Sequence, residues 1–193
     1  CSSDLSGVAG DPNWSAVDPA KVLAPGVSGP GIIDALQHGD RDGTVWRPAE
    51  ADTSIRPGWF YHPAEDARVK SVDQLVNLYV RSVGRNSKLL LNVPPTPEGL
   101  IHPVDAERLV GMHERLRTLF ATDLAEGRSL RWTESLDSWV TEVELFRPST
   151  LGFVRLSEDI TKGQAVVAYV LSGFDGTTWS ELSRGTTIGY AKI

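Results

Sequence analysis

Residues 71–95 read S-V-D-Q-L-V-N-L-Y-V-R-S-V-G-R-N-S-K-L-L-L-N-V-P-P, and the fold class turns on them. Val72, Leu75, Val76, Tyr79 and Val83 recur at i, i+3, i+4, i+7 and i+11, one face of a 3.6-residue period, so Ser71 to Val83 is expected to be helical. Ser71 and Gln74 have the spacing of a capping box, in which each side chain satisfies an orphan amide of the first turn. Gly84 is placed to take the left-handed position that closes a helix. Lys88 to Val93 then gives a short apolar run stopped by Pro94-Pro95, the pattern of a strand buried on both faces. A helix leading into such a strand is half of a βαβ unit. Asn92 falls at the C-terminal end of that strand, where α/β barrels keep their sites; an asparagine that merely bonds a loop backbone fits the same position.

Upstream, Trp46 to His62 reads W-R-P-A-E-A-D-T-S-I-R-P-G-W-F-Y-H. Pro48 and Pro57 remove backbone donors and fix φ, so a short strand over Ala51 to Ile55 must enter a rigid loop. Two readings of this stretch stand side by side. In the structural one, which composition alone favours, Phe60 and one tryptophan are core and Arg56 pairs with Asp52. In the other it is a sugar site, which needs flat apolar faces for the C–H side of a pyranose, forked donors and carboxylates for its hydroxyls, and carboxyl groups for chemistry. Trp46, Asp52, Arg56, Trp59 and His62 are the candidate ligands, and Glu50 is either a further hydroxyl ligand or the candidate catalytic carboxylate, among aromatics that would raise its pKa by desolvation. Pro57-Gly58 is expected to form a tight turn with Gly58 at positive φ. Strand alternation then sends Phe60 into the core and leaves Trp59 and Tyr61 on the wetter side, with Trp59 as the sugar platform.

Elsewhere the chain is less explicit. Asp4 to Pro30 shows neither helical nor strand period and reads as a long loop, and Asp34 to Gly43 as a polar, turn-rich approach to Trp46. Pro103 opens a second helix with an apolar stripe of Leu109, Met112, Leu116, Leu119 and Phe120; His102 and His113 read as surface residues. Beyond Glu126-Gly127 come short β-branched or aromatic runs, V140-T-E-V-E-L-F146, F153-V-R-L156, A165 to L171 and T177 to L182, separated by turn signals. Asp175-Gly176 is a hairpin signal. The composition, 40% hydrophobic and 23% charged over 193 residues, is that of a globular chain. A net charge of −6 argues against a nucleic-acid partner. No apolar stretch approaches a membrane span. The single cysteine, Cys1, allows no internal disulfide or thiolate metal site, and no metal or cofactor is expected.

The phrases S-I-R-P-G-W-F-Y-H and S-V-G-R-N-S-K-L-L-L-N-V-P-P-T, continued by Asp105-Ala-Glu-Arg-Leu109 and by the Q-x-V and T-T-I-G-Y phrases near the end, resemble the family 29 glycoside hydrolases. These are retaining α-L-fucosidases, and the wording is similar to the branch acting on α-1,3 and α-1,4 linkages. The resemblance implies an α/β plus β fold: the C-terminal part of a (β/α)₈-type barrel over residues 1–127, then an antiparallel, galactose-binding-like β-sandwich over 128–193. It implies an exo-acting hydrolase of terminal fucose on oligosaccharides or glycans, in a secreted or periplasmic setting. Relatives would carry a glutamate-bearing segment between phrases like Ser3-Asp4 and Gly7-Val8-Ala9-Gly10, which here only Leu5-Ser6 joins. The nucleophile strand would precede everything quoted. A barrel takes about 250 residues, so the chain is expected to be an inactive fragment, or to be completed by another copy or polypeptide. A non-catalytic carbohydrate-binding protein is the alternative.

Overall fold

The computed structural model describes residues 2–4, 7–21 and 30–193. Its organising layer is a three-stranded parallel sheet, β1 (Ser2–Asp4), β4 (Ala49–Ser54) and β5 (Lys88–Asn92), in the order β1-β4-β5. Between β4 and β5 the chain makes a 3₁₀ turn (Pro63–Arg68) and helix α2 (Val72–Ser82); α3 (Pro103–Leu119) follows β5. Strand, helix, parallel strand and helix thus succeed one another as the sequence predicts. Ser54 lies opposite Asn92 and Glu50 opposite Lys88.

Alternation divides β4 into two faces. Ala51, Thr53 and Ile55 are buried toward the helices, where Ile55, Leu75 and Leu78 form the core, packed round by Val69, Leu91, Val93, Leu109 and Met112. Glu50, Asp52 and Ser54 share the opposite face with Lys88, Leu90 and Asn92. The α2 capping box forms as expected: Ser71 Oγ accepts from Gln74 N at 3.2 Å and Gln74 Oε1 accepts from Ser71 N at 2.8 Å. Gly111 lets α3 close onto the first turn of α2, since a Cβ there would stand 2.7 Å from Val72 Cγ2.

Several expectations are corrected. The buried face of α2 is Leu75, Leu78 and Ser82, not the stripe ending at Tyr79 and Val83. Ser82 can be buried because its hydroxyl donates to Leu78 O at 2.6 Å. The left-handed residue after α2 is Asn86, at φ 57, rather than Gly84. The long loop read over Asp4 to Pro30 contains β2 (Ala16–Val17), which pairs antiparallel with β3 (Val45–Trp46). Where the sequence reads as turn-rich, Pro30–His38 forms helix α1. The Leu5-Ser6 junction lies outside the described residues.

Downstream of α3 are two separate antiparallel ladders, β6 (Trp132–Ser135) with β7 (Ser138–Thr141) and β8 (Tyr169–Phe174) with β9 (Trp179–Gly185). The Asp175-Gly176 hairpin is present, with Gly176 at φ 101 and Asp175 Oδ1 accepting from the amides of Thr177 and Thr178. Glu142 to Phe146 and Phe153 to Arg155, read as strand, have no ladder partners; Leu156 makes one bridge, to Lys192.

Candidate functional site

The C-terminal ends of β4 and β5 meet at Ser54 and Asn92, and the loop leaving β4 is tied to them. Ser54 Oγ donates to Gly58 O at 2.7 Å, while Asn92 Nδ2 donates to Ser54 Oγ and to Trp59 O, each at 3.0 Å. Asn92 therefore holds the backbone of the aromatic run from the neighbouring strand. Gly58 is not among the described positive-φ glycines. The turn is closed by Ser54 and Asn92 instead.

Beneath the loop lies Arg56, whose side chain has no exposed surface. Its Nε donates to Asp105 Oδ2 and its Nη1 to Asp66 Oδ1, both at 2.8 Å, and Nη1 also reaches His62 O at 3.4 Å. The guanidinium stacks under Tyr61, 4.7 Å from the ring centroid. Burial works against the Arg56 charge, but the hydrogen bonds to Asp105 and then Asp66 outweigh it and hold its pKa above the ordinary arginine value. Asp105 is also fully buried; it sits in the first turn of α3, where the helix dipole favours a carboxylate. His102, the N-cap of α3, packs on Tyr61 with ring centroids 5.6 Å apart and has Nε2 3.6 Å from Asp66 Oδ2. It is part of this hub, not the plain surface residue its sequence context suggests. Lys70 adds a further tie by donating to Ser54 O; burial lowers its pKa.

The six sequence candidates divide between two ends of the sheet. Arg56, Trp59 and His62 gather at the C-terminal end. Arg56 pairs with neither Asp52 nor solvent, so in this arrangement it supports the loop rather than touching a ligand. Trp59 is 41% exposed and His62 is exposed. Phe60, expected in the core, is 77% exposed, and Tyr61 is the half-buried anchor, because Tyr61 is the ring that covers Arg56. Asp52 lies two residues below the strand end on the Ser54 face, with Oδ1 buried and unpartnered among the described residues.

Glu50 and Trp46 are at the other end. Glu50 is four residues before Ser54, about 13 Å along the strand, and its Oε2 is 3.6 Å from Lys88 Nζ. That position does not bring it to the aromatic loop as the catalytic reading requires. Trp46 precedes β4 on β3 and is 72% exposed. Nothing in the sequence assigns Asp66, Asp105 or His102 to the site, whereas Asn92 makes the loop-backbone bond that its place at the strand end allows. The D-A-E-R-L phrase was the available signal for Asp105. Among the described residues no cluster of three or more His, Cys, Asp or Glu could hold a metal.

The chain as a whole has counterparts among known proteins and solved structures. The family model described as alpha-L-fucosidase matches residues 28–118. Alpha-L-fucosidase 1 of Arabidopsis thaliana is 31% identical over 98% of the chain. Among crystal structures, SpGH29 superposes with a TM-score of 0.85 at 34% identity, covering 99% of this chain and 47% of its own. A glycoside hydrolase 29 family member from an unknown rumen bacterium gives 0.80 at 35% identity, over 98% of this chain and 33% of its own. The chain belongs to the α-L-fucosidases of glycoside hydrolase family 29. It spans 42% of the length of the Arabidopsis protein and 41% of that of a similar rice relative.

Proposed function

We propose that this chain supplies one wall of the sugar site of an exo-acting, retaining α-L-fucosidase that removes terminal fucose from oligosaccharides or glycans. In this reading residues 1–127 are the C-terminal part of a (β/α)₈-type barrel and 128–193 a partial ancillary β-sandwich. The observation that carries it is the Arg56 hub, which fixes the loop from Ser54 to His62 at the carboxyl ends of parallel strands and holds Trp59 outward. Trp59 would stack on the apolar face of fucose, with His62 and Asp52 turned to its hydroxyls.

Retaining hydrolysis needs two carboxyl groups about 5–5.5 Å apart, one nucleophile and one acid/base. Near the loop, Asp66 and Asp105 are both bound to Arg56, Glu65 pairs with Arg68 at 3.4 Å, Asp52 is read here as a hydroxyl ligand, and Glu50 is at the far strand end. The catalytic pair would therefore come from outside the described residues, and the chain alone would not turn over substrate. Its surface supports completion by another polypeptide or copy: it exposes 12934 Å², where a compact monomer of this mass exposes about 9,000 Å². The alignment to the rice relative also runs over 218 positions against 193 residues here, so the matched span is interrupted by gaps in this chain.

Release of 4-nitrophenol from its α-L-fucoside tests the reading. The expected rate for the chain alone is the no-enzyme rate. Turnover abolished by Glu50→Gln would overturn the assignment and return Glu50 to catalysis. A carbohydrate-binding protein without catalysis is favoured by one feature, the engagement of Asp66 and Asp105 by Arg56; fucose binding by calorimetry with no turnover in any completed assembly would support it.

A further inference from the structure

The Q-x-V and T-T-I-G-Y phrases lie far along the chain from the aromatic loop, yet their side chains are heavily engaged. Gln164 Nε2 donates to Thr187 Oγ1 at 2.7 Å and to Asn13 O at 3.2 Å, and its Oε1 accepts from Ser15 N at 2.5 Å. A carbonyl at position 13 and an amide at position 15 are the two groups that a neighbouring β-strand residue would bond. The Gln164 carboxamide thus stands in for one residue of a strand. Asn13 and Ser15 lie outside regular structure, so without it these backbone groups would lack that partner.

The same seam is closed from the other side. Asn86 Oδ1 accepts from Tyr190 N at 2.8 Å, and Nδ2 donates to Asn13 O at 2.9 Å and Ser15 Oγ at 3.2 Å. Its backbone amide donates to Ala191 O, and Ile193 N donates to Gly84 O. Gly189, at φ +68, lies so close that a Cβ would stand 2.3 Å from Asn86 Cγ. Glu158 fixes this C-terminal segment by accepting from the amides of Ala165, Val166 and Gly189 at 2.9, 3.0 and 2.7 Å. Asn13, Asn86, Thr187 and Ala191 are all buried.

We infer that Gln164, Glu158, Thr187 and Asn86 form a latch by which the C-terminal module clamps residues 13–17, the stretch that ends in β2, onto the α/β layer. The module then acts as a structural arm of that layer and not as a sugar-binding unit moving on a linker. Residues 13–17 lead into the β2–β3 pair, which delivers the chain to β4, so the latch positions the start of the strand whose far end carries the aromatic loop.

Hydrogen exchange on the whole chain tests this, read by mass spectrometry for Gln164→Ala and for Gln164→Glu. The glutamate keeps the acceptor for Ser15 and loses both donated bonds. The latch predicts at least tenfold faster exchange over residues 13–17 in Gln164→Ala, a smaller rise in Gln164→Glu, and unchanged protection in β5 and α3. Unchanged exchange over 13–17 would overturn it. So would an equal rise across β4, β5 and α3, which would mark Gln164 as a general stabiliser. Separate thermal transitions for the module and the α/β layer in the unaltered chain would likewise contradict a clamp.

Discussion

The loop after β4 and the β6–β7 hairpin use similar residues, and the structure supports them in opposite ways. On the hairpin, Trp132 faces Thr141 and Trp139 faces Glu134 across the ladder, so both tryptophans share one face with a carboxylate; they are 57% and 63% exposed. Nothing buried lies beneath them: every residue of β6 is exposed, as are all but Thr141 of β7. The loop that carries Trp59 is backed by a fully buried arginine, two carboxylates that grip it and the tyrosine that covers it, and an asparagine from the next strand holds the Trp59 carbonyl. An exposed indole becomes a directional surface only when the backbone behind it cannot yield. By that criterion the loop, and not the hairpin, has the support that the proposed sugar platform needs.

The largest effect expected to break this comparison is at Asp105. Removing one partner of a buried pair leaves the other charge uncompensated, so Asp105→Ala should cost about 3–5 kcal/mol of stability, read by urea denaturation. A loss below 1 kcal/mol would mean that the hub does not hold the loop. Ser71→Ala removes the α2 cap and should cost about 1 kcal/mol, a local effect on the helix that backs the same core. Trp139→Ala, on the unsupported hairpin, should change stability by less than about 0.5 kcal/mol. A larger loss would show the hairpin to be packed, and would erase the contrast.

The smallest expected effect concerns pH. Asp40 accepts from Asp18 N at 2.8 Å and pairs with Lys21, and these bonds hold its pKa below the usual carboxylate value. A depressed folded-state pKa contributes stability that is complete above the unfolded value, near 3.9, and is lost as pH falls through the folded one. Asp40→Asn should therefore flatten the acid limb of the stability profile and leave the slope at neutral pH unchanged. Circular dichroism melts from pH 2 to 7 would show whether it does.

What the sequence made legible follows the range of the interactions involved. The α2 capping box joins residues three apart, and the Asp175-Gly176 turn is local too; both could be read directly. The parallel β4–β5 pairing followed from an apolar run after a helix. The partners of Arg56 lie 10 and 49 residues away, so sequence proximity pointed to Asp52 instead. The phase of α2 is hidden in the sequence because Ser82 counts as polar until its hydroxyl is seen bonded to Leu78 O. Alternation places Phe60 inward only if the run is extended; residues 55–60 form bends instead, and Tyr61 is the ring that turns inward over Arg56. Glu50 has suggestive neighbours in the chain, and its distance from the C-terminal end of the strand only appears once the register is known.

The most direct measurement is fucose affinity by calorimetry together with thermal stability for Trp59→Ala, in the chain or in the complete assembly that binds sugar. A sugar platform held out by the Arg56 hub predicts that binding weakens by about 1–3 kcal/mol, the loss of one apolar contact face, while the melting temperature hardly moves. Unaltered affinity together with a stability loss of about 3–5 kcal/mol, the cost of emptying a buried tryptophan site, would contradict it.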